Sequence, residues 1–309
     1  MDSGSRRAII AAFLANLGIA VAKFAGYAFT GAASMLAEAV HSVADTSNQG
    51  LLLLGSARSR RRPTSRHPFG YGRERYFWAF VVALVIFTLG SMFALYEGEE
   101  KLRHPHELES TEWAIGILVV AMVLESYSMR TAIRESKEAR GDQSWWAFIR
   151  HAKIPELPII LLEDLGALLG LGFALIGILL AHWTGDSRWD AAGSLAIGVL
   201  LGVIAVVLII EMKSLLIGEA ASPAKRNAIR EAIEAQPCVR RLIHMRTEHV
   251  GPEDILVAAK VEFESGLDVT EVARQIDEVE AAVRAVVPSA RLIFIEPDVF
   301  RSPMESASE

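Results

Sequence analysis

The 309-residue chain has a single cysteine, Cys238. A disulfide framework and any cysteine-based zinc cluster are thereby excluded, because each needs several thiols at set spacings. Charge is also scarce: 22% of residues are charged against 52% hydrophobic, and the net charge is −6. Intrinsic disorder needs the opposite balance, and a nucleic-acid-binding surface needs an excess of Lys and Arg that this chain lacks. Neither an HExxH string nor a G-x-S-x-G elbow occurs, which removes the commonest signatures of zinc proteases and serine hydrolases. What remains is a large apolar content, and its distribution along the chain is uneven.

Six apolar blocks are each long enough to cross a hydrocarbon core of about 30 Å as a helix. They run near Ala8–Phe29, Met35–Leu54, Tyr76–Leu95, Trp113–Tyr127, Leu157–Trp183 and Ala191–Leu216. The second is the least apolar, since Glu38, His41, Asp45, Asn48 and Gln49 interrupt it. No cleavable signal peptide is expected, because the first block is too long for an h-region and no small-residue cleavage site follows it.

From Glu219 onward the pattern changes. Pro223–Ala235 has helical spacing of apolar residues, whereas Val239–Thr247 and Ile255–Phe263 alternate branched and polar residues as strands do. Gly251-Pro252 marks the turn between them. Asp268 is placed to cap a helix over Val269–Val286, Pro288 ends it, and Arg291–Ile295 reads as a last strand. The expected architecture is an all-α six-helix transmembrane domain over residues 1–218, then a small cytoplasmic α+β domain of α-β-β-α-β order over 219–300. Residues 301–309 form a polar tail.

Orientation follows from loop charge. Arg58, Arg60, Arg61, Arg62, Arg66, Arg73 and Arg75 lie between spans two and three, and Arg130, Arg134, Lys137, Arg140, Arg150 and Lys153 between spans four and five. The loop after span three is acidic instead, with Glu97, Glu99, Glu100, Glu107, Glu109 and Glu112. The positive-inside rule places the Arg-rich loops in the cytoplasm, and with six spans both termini join them. Arg6 and Arg7 agree. The Arg60–Arg62 run reads as this topology signal and a contact for anionic headgroups. Trp145, Trp146 and Phe148 read as an interfacial stretch with aromatics at headgroup level.

Ionisable residues within the apolar blocks are the candidates for function, since each costs roughly 2.5–3.5 kcal/mol at a bilayer centre on insertion scales. Span two carries His41 and Asp45 at i, i+4, one helical turn apart on one face. An imidazole and a carboxylate so placed make half of a divalent-metal site. Glu38 lies close to the same face. Span five supplies Glu163 and Asp164, which as neighbours diverge by about 100°, so one of them is expected to face the span-two pair. The alternative reading is a His–Asp hydrogen bond that fixes helix packing. Glu125 is expected at the cytoplasmic mouth or in a structural role, and Asn16 and Lys23 as packing neighbours.

Several strings resemble one family. Gly31-Ala-Ala-Ser-Met-Leu-Ala-Glu-Ala-Val-His41-Ser-Val-Ala-Asp45, together with Asn16 and Lys23, is similar to the span-one and span-two signatures of the cation diffusion facilitator family. So are the loop His67-Pro-Phe-Gly-Tyr-Gly-Arg-Glu-Arg-Tyr-Phe-Trp78 and the closing Ile295-Glu-Pro-Asp298. The resemblance covers nearly the whole chain. It implies a non-enzymatic, homodimeric antiporter with no tightly bound cofactor, which moves a divalent transition metal out of the cytoplasm in exchange for protons. Multi-pass insertion among membrane lipids follows, in the plasma (inner) membrane if the source is prokaryotic. No nucleic-acid partner is implied.

Carried over by residue, the metal ligands are His41, Asp45 and Asp164, with Gly170 supporting the register. Zinc-transporting members carry His or Asp four residues before that last aspartate, and here Ile160 stands there. Glu163, a water or Glu38 are the candidates for the open position, and manganese or ferrous iron suits such a set as zinc does. The cytoplasmic domain is implied to be metallochaperone-like and dimerising. Its candidate ligands are His244, Glu248, His249, Glu296 and Asp298, but Lys260 in the second strand would repel a metal. Few or no ions are therefore expected there, with His244 and His249 on the surface and Glu296 and Asp298 as ordinary strand-end acids. His104 and His106 read as solvated loop residues. Two rival functions are a non-transporting relative acting as scaffold or subunit, and an intramembrane metalloenzyme, for which no base accompanies His41 and Asp45.

Overall fold

The computed structural model describes residues 33–104 and 111–301, with Leu17, Gly18, Ala20, Val21, Phe24, Ala25 and Ala28; side chains of residues 33–42, 111, 113, 114 and 117 are outside the description. Most of the first apolar block, Asn16, Lys23, Arg6, Arg7, His106 and the tail from Ser302 thus lie outside the described residues.

Helices account for most of the described residues up to Ile217. They are α1 (Ala33–Ser59), α2 (Glu74–Val85), α3 (Phe93–Arg103), α4 (Thr111–Arg140), α5 (Trp145–His151), α6 (Glu156–Thr184) and α7 (Arg188–Ile217). A π-helical stretch, Ile86–Met92, joins α2 and α3 into one continuous rod. Among the described residues, Glu74–Arg103, Glu156–Thr184 and Arg188–Ile217 are long and apolar enough to cross a membrane, and less than a third of each apolar window is buried inside the protein. The unburied part is apolar: Val199, Val203, Val206 and Ile210 form an exposed stripe along α7, and Val119, Val120, Val123 and Leu124 one along α4. Surfaces of that kind are stable against lipid rather than water. Trp183 and Trp189, both exposed, flank the α6–α7 turn, as interfacial aromatics do. That turn closes with Gly185 in the left-handed region (φ 70°), the usual helix C-cap solution.

Small residues set the spacing of this bundle. A Cβ on Gly177 would stand 2.9 Å from the Trp189 carbonyl oxygen, so α6 and α7 approach at backbone contact. Several charges expected in loops sit on helices instead. Arg58 belongs to α1 and Arg75 to α2, while α4 carries Arg130, Arg134, Lys137 and Arg140 on a helical extension beyond its apolar run. Alternating long charged side chains are good helix formers, so the helix continues past its membrane-spanning part. The aromatic reading of Trp145–Phe148 also needs correction: Trp146 is exposed, but Phe148 is 4% exposed and packs inward.

The C-terminal segment folds as expected from its pattern. It comprises α8 (Pro223–Glu234), β1 (Val239–Gly251), β2 (Asp254–Phe263), α9 (Val269–Val286) and β3 (Ala290–Pro297). Ser222 and Asp268 cap the two helices by accepting from Lys225 N and Glu271 N. Sheet order is β1-β2-β3, antiparallel between β1 and β2 and parallel between β2 and β3, the latter requiring α9 as crossover. Ile255, Val257, Ala259 and Val261 alternate inward from β2 onto Ile229 and Ile233 of α8 and Val279 and Val283 of α9, making a two-layer core.

The chain divides into two compact units, and the loop Ser59–Glu74 belongs with the C-terminal one. Within that unit Arg73 pairs with Glu248. Gly72 lies so close to β1 that a Cβ there would meet the Val250 carbonyl oxygen at 2.6 Å.

Candidate metal centre

In α1, positions 41, 45 and 48 recur along one stripe of the helix. The side chains of Glu38 and His41 are outside the described set; that of Asp45 is half-buried, and Asn48 is 2% exposed. Facing this stripe is α6. Its adjacent acids point to different neighbours, as consecutive helical positions must. Asn48 Nδ2 donates to Glu163 Oε1 at 2.8 Å. Ser128 Oγ, from α4, donates to Asp164 Oδ2 at 3.0 Å. Asp164 is 8% exposed. The Asp45 carboxyl lies within hydrogen-bonding reach of Glu163 and electrostatic reach of Asp164. Among the described residues no three His, Cys, Asp or Glu side chains close on one point that could hold a metal ion.

Asp45 and Glu163 are therefore neighbours across α1 and α6, with Asp164 on the next face of α6 toward α4, while Glu125 lies half-buried on α4 one turn before Ser128. Asn48 and Ser128 went unrecognised from sequence. Their signal was positional: Asn48 is three residues beyond Asp45 and Ser128 three beyond Glu125, continuing the same faces.

A cavity of about 190 Å³ is lined by Ala44, Gly90, Gly166 and Gly170, and by Glu97 and Lys101. Gly90 is in the π-helical stretch, a kind of distortion that recurs at functional sites. Lys101 Nζ pairs there with Asp190 at 3.0 Å and Glu97 at 3.5 Å. Two further ion pairs brace the helices. Arg75 grips Glu156 with two bonds, Nε–Oε1 2.6 Å and Nη2–Oε2 2.9 Å, and Arg150 reaches the buried Glu211 of α7 at 2.7 Å. Both arginines read as topology signals in the sequence, and Glu211 was hidden inside an apolar block.

The C-terminal candidates do not assemble a metal site. His244 is exposed, but His249 is 1% exposed rather than on the surface, with Nδ1 3.3 Å from the Gly251 carbonyl oxygen. Its position in β1 just before the turn carries it into the packed end of the sheet. Glu296 and Asp298, at the end of β3, both hold the Lys260 ammonium, at 2.9 and 2.8 Å. The hydrogen bond to Lys260 lowers the Asp298 carboxyl below its usual range, and the bond to Asp298, with that to Glu296, raises the Lys260 ammonium.

Comparison with known proteins bears on these features as a set. A family model described as the cation efflux transmembrane domain matches residues 9–217. The mouse protein named proton-coupled zinc antiporter SLC30A9, mitochondrial, is 35% identical over 78% of this chain and 43% of its own length. Metal tolerance protein C4 of Arabidopsis thaliana is 30% identical over 85% of this chain and 58% of that protein. Cation-efflux pump FieF of Pectobacterium atrosepticum is 26% identical over 96% of this chain and 93% of that protein. The chain thus spans under half the length of the mouse relative. Apolar helices with exposed apolar stripes make it a multi-pass membrane protein. With the family model covering most of its length and a relative 35% identical over 78% of it, the chain belongs to the cation diffusion facilitator family of metal efflux transporters.

Proposed function

We propose that the chain exports a divalent transition-metal cation from the cytoplasm in exchange for protons, as a homodimer working by alternating access. The observation that carries this is the clustering of Asp45, Glu163 and Asp164 on facing and adjacent helix faces within the membrane-spanning unit. Three carboxylates at such a junction are costly unless a cation or protons offset their charge. His41, Asp45 and Asp164 serve as the metal ligands, with Glu163 and Glu38 as neighbours of the site. Metal binding requires neutral imidazole and ionised carboxylates, so loading the cation releases protons and protonation releases the cation. His41 suits this exchange because imidazole ordinarily titrates near pH 6.5.

The cavity from Ala44 to Glu97 supports a route away from the site, with the Lys101–Asp190 pair at its far end as the closing element. The Arg-rich helix ends support a cytoplasmic position for both termini and the C-terminal unit. Relatives named as a zinc antiporter and a cation-efflux pump support metal transport as the activity. Soft thiolates have no part here, and oxygen donors leave zinc, manganese and ferrous iron all suitable.

The test is flux in proteoliposomes under a pH gradient, with zinc, manganese, iron, cobalt and cadmium each offered alone. Wild-type vesicles should accumulate at least one metal and dissipate the proton gradient as they do so. Asp45→Ala should abolish both signals while the protein still elutes as a dimer. Full transport by Asp45→Ala would remove the site assignment, and no flux of any metal in the wild type would remove the transport reading.

A further inference from the structure

His41, Asp45 and Asp164 offer three donors, whereas a tetrahedral cation takes four and an octahedral one six. Ile160, one turn before Asp164 on α6, has no lone pair to give. On the facing helix, one turn beyond Asp45, stands Asn48, and its amide is divided in an unusual way. Nδ2 donates to Glu163 at 2.8 Å, which fixes the plane of the amide beside the carboxylates. Oδ1 is buried and finds no hydrogen-bond partner among the described residues, although the side chain is 2% exposed. Buried amide oxygens are satisfied in the great majority of cases, so an exception in a polar junction marks a place for a missing ligand.

We infer that Asn48 is a specificity-determining residue of the transport site: Nδ2 holds Glu163, and Oδ1 supplies a neutral oxygen donor to the cation. This rests on the transport reading above and names a residue that reading does not use. The charge balance favours such a donor. Asp45, Glu163 and Asp164 already carry more negative charge than one divalent cation neutralises, so a further carboxylate would add repulsion, while an amide oxygen adds coordination alone. A carbonyl-type oxygen is a hard donor that suits manganese more than it suits zinc, which imidazole serves well.

The experiment compares manganese and zinc uptake by full-length wild-type, Asn48→Ala and Asn48→Asp proteins in the same pH-driven vesicles. Asn48→Ala should lower the manganese-to-zinc rate ratio by about tenfold, in the range of losses seen when metal-site supporting groups are removed. Asn48→Asp, which keeps an oxygen donor but adds a charge and loses the grip on Glu163, should lower both rates while holding the ratio above that of Asn48→Ala. An unchanged ratio in Asn48→Ala, whether both rates stay or both fall, makes Asn48 a packing residue and overturns the inference. So does an Asn48→Asp ratio as low as that of Asn48→Ala. Absence of wild-type flux overturns the transport reading, and this inference with it; wild-type flux with an unaltered mutant ratio overturns this inference alone.

Discussion

Arg75 and Lys260 do the same thing in two different solvents. Each gathers carboxylate oxygens at under 3 Å, Arg75 from Glu156 in the helical unit and Lys260 from Glu296 and Asp298 in the C-terminal unit. The side chains of the first pair are 10% and 18% exposed, whereas Glu296 is 63% exposed. Desolvation makes the first pair obligatory, because losing one partner strands a charge. Water and salt screen the second, so its loss is nearly absorbed by solvent. In the helical unit polar contacts select structure; in the C-terminal unit apolar packing does, and polar contacts decorate it.

The sharpest way to break that contrast is Arg75→Ala, which should cost about 3–5 kcal/mol by leaving Glu156 unpaired. Thermal unfolding of the purified protein in detergent reads it. Arg75→Lys should restore only part, since an ammonium cannot make the two-pronged grip. An Arg75→Ala midpoint equal to wild type would mean that the pair is solvated after all.

Next in size is Ile233→Ala. Ile233 is fully buried in the α8–sheet core, and its truncation should cost about 2–5 kcal/mol through lost burial and the cavity left behind. Protease susceptibility of the C-terminal unit should rise while metal flux per folded molecule stays constant; unchanged susceptibility would count against the two-layer packing.

Gly177→Ala should cost about 1–3 kcal/mol, because the added methyl meets the Trp189 backbone and α6 must shift from α7. A variant as heat-stable as the wild type would show that this approach is loose.

Lys260→Ala is expected to have the smallest effect, undetectable near neutral pH in high salt. Its signature is the pH profile. Because the Asp298 carboxyl is lowered, the pair's contribution is present above the ordinary carboxylate range and fades as pH falls through the lowered value. Because the Lys260 ammonium is raised, the contribution fades again as pH rises through that raised value. Urea unfolding across pH should show both shoulders flatten in Lys260→Ala, and identical profiles would remove the pair's role.

The sequence already displayed what short-range physics writes into it. Period-two alternation at Ile255, Val257, Ala259 and Val261, the cap Asp268, and the turn at Gly251-Pro252 placed the helices and strands from Pro223 onward close to their observed ends. Asp45, Glu163 and Asp164 stood out for an equally local reason, as acids within apolar runs. Pairings between distant positions were not legible. Asn48 and Glu163 are 115 residues apart, and Arg75 and Glu156 are 81 apart, so nothing in either neighbourhood names the other. The π-helical stretch Ile86–Met92 was equally silent, since nothing in the string Ile-Phe-Thr-Leu-Gly-Ser-Met sets it apart from an α-helical one.

Glu163 and Asp164 are consecutive on a rigid helix, yet one is bonded to α1 and the other to α4. A turning of α6 about its axis must therefore act on both contacts at once. The two contacts are thus coupled through the one helix that carries both carboxylates.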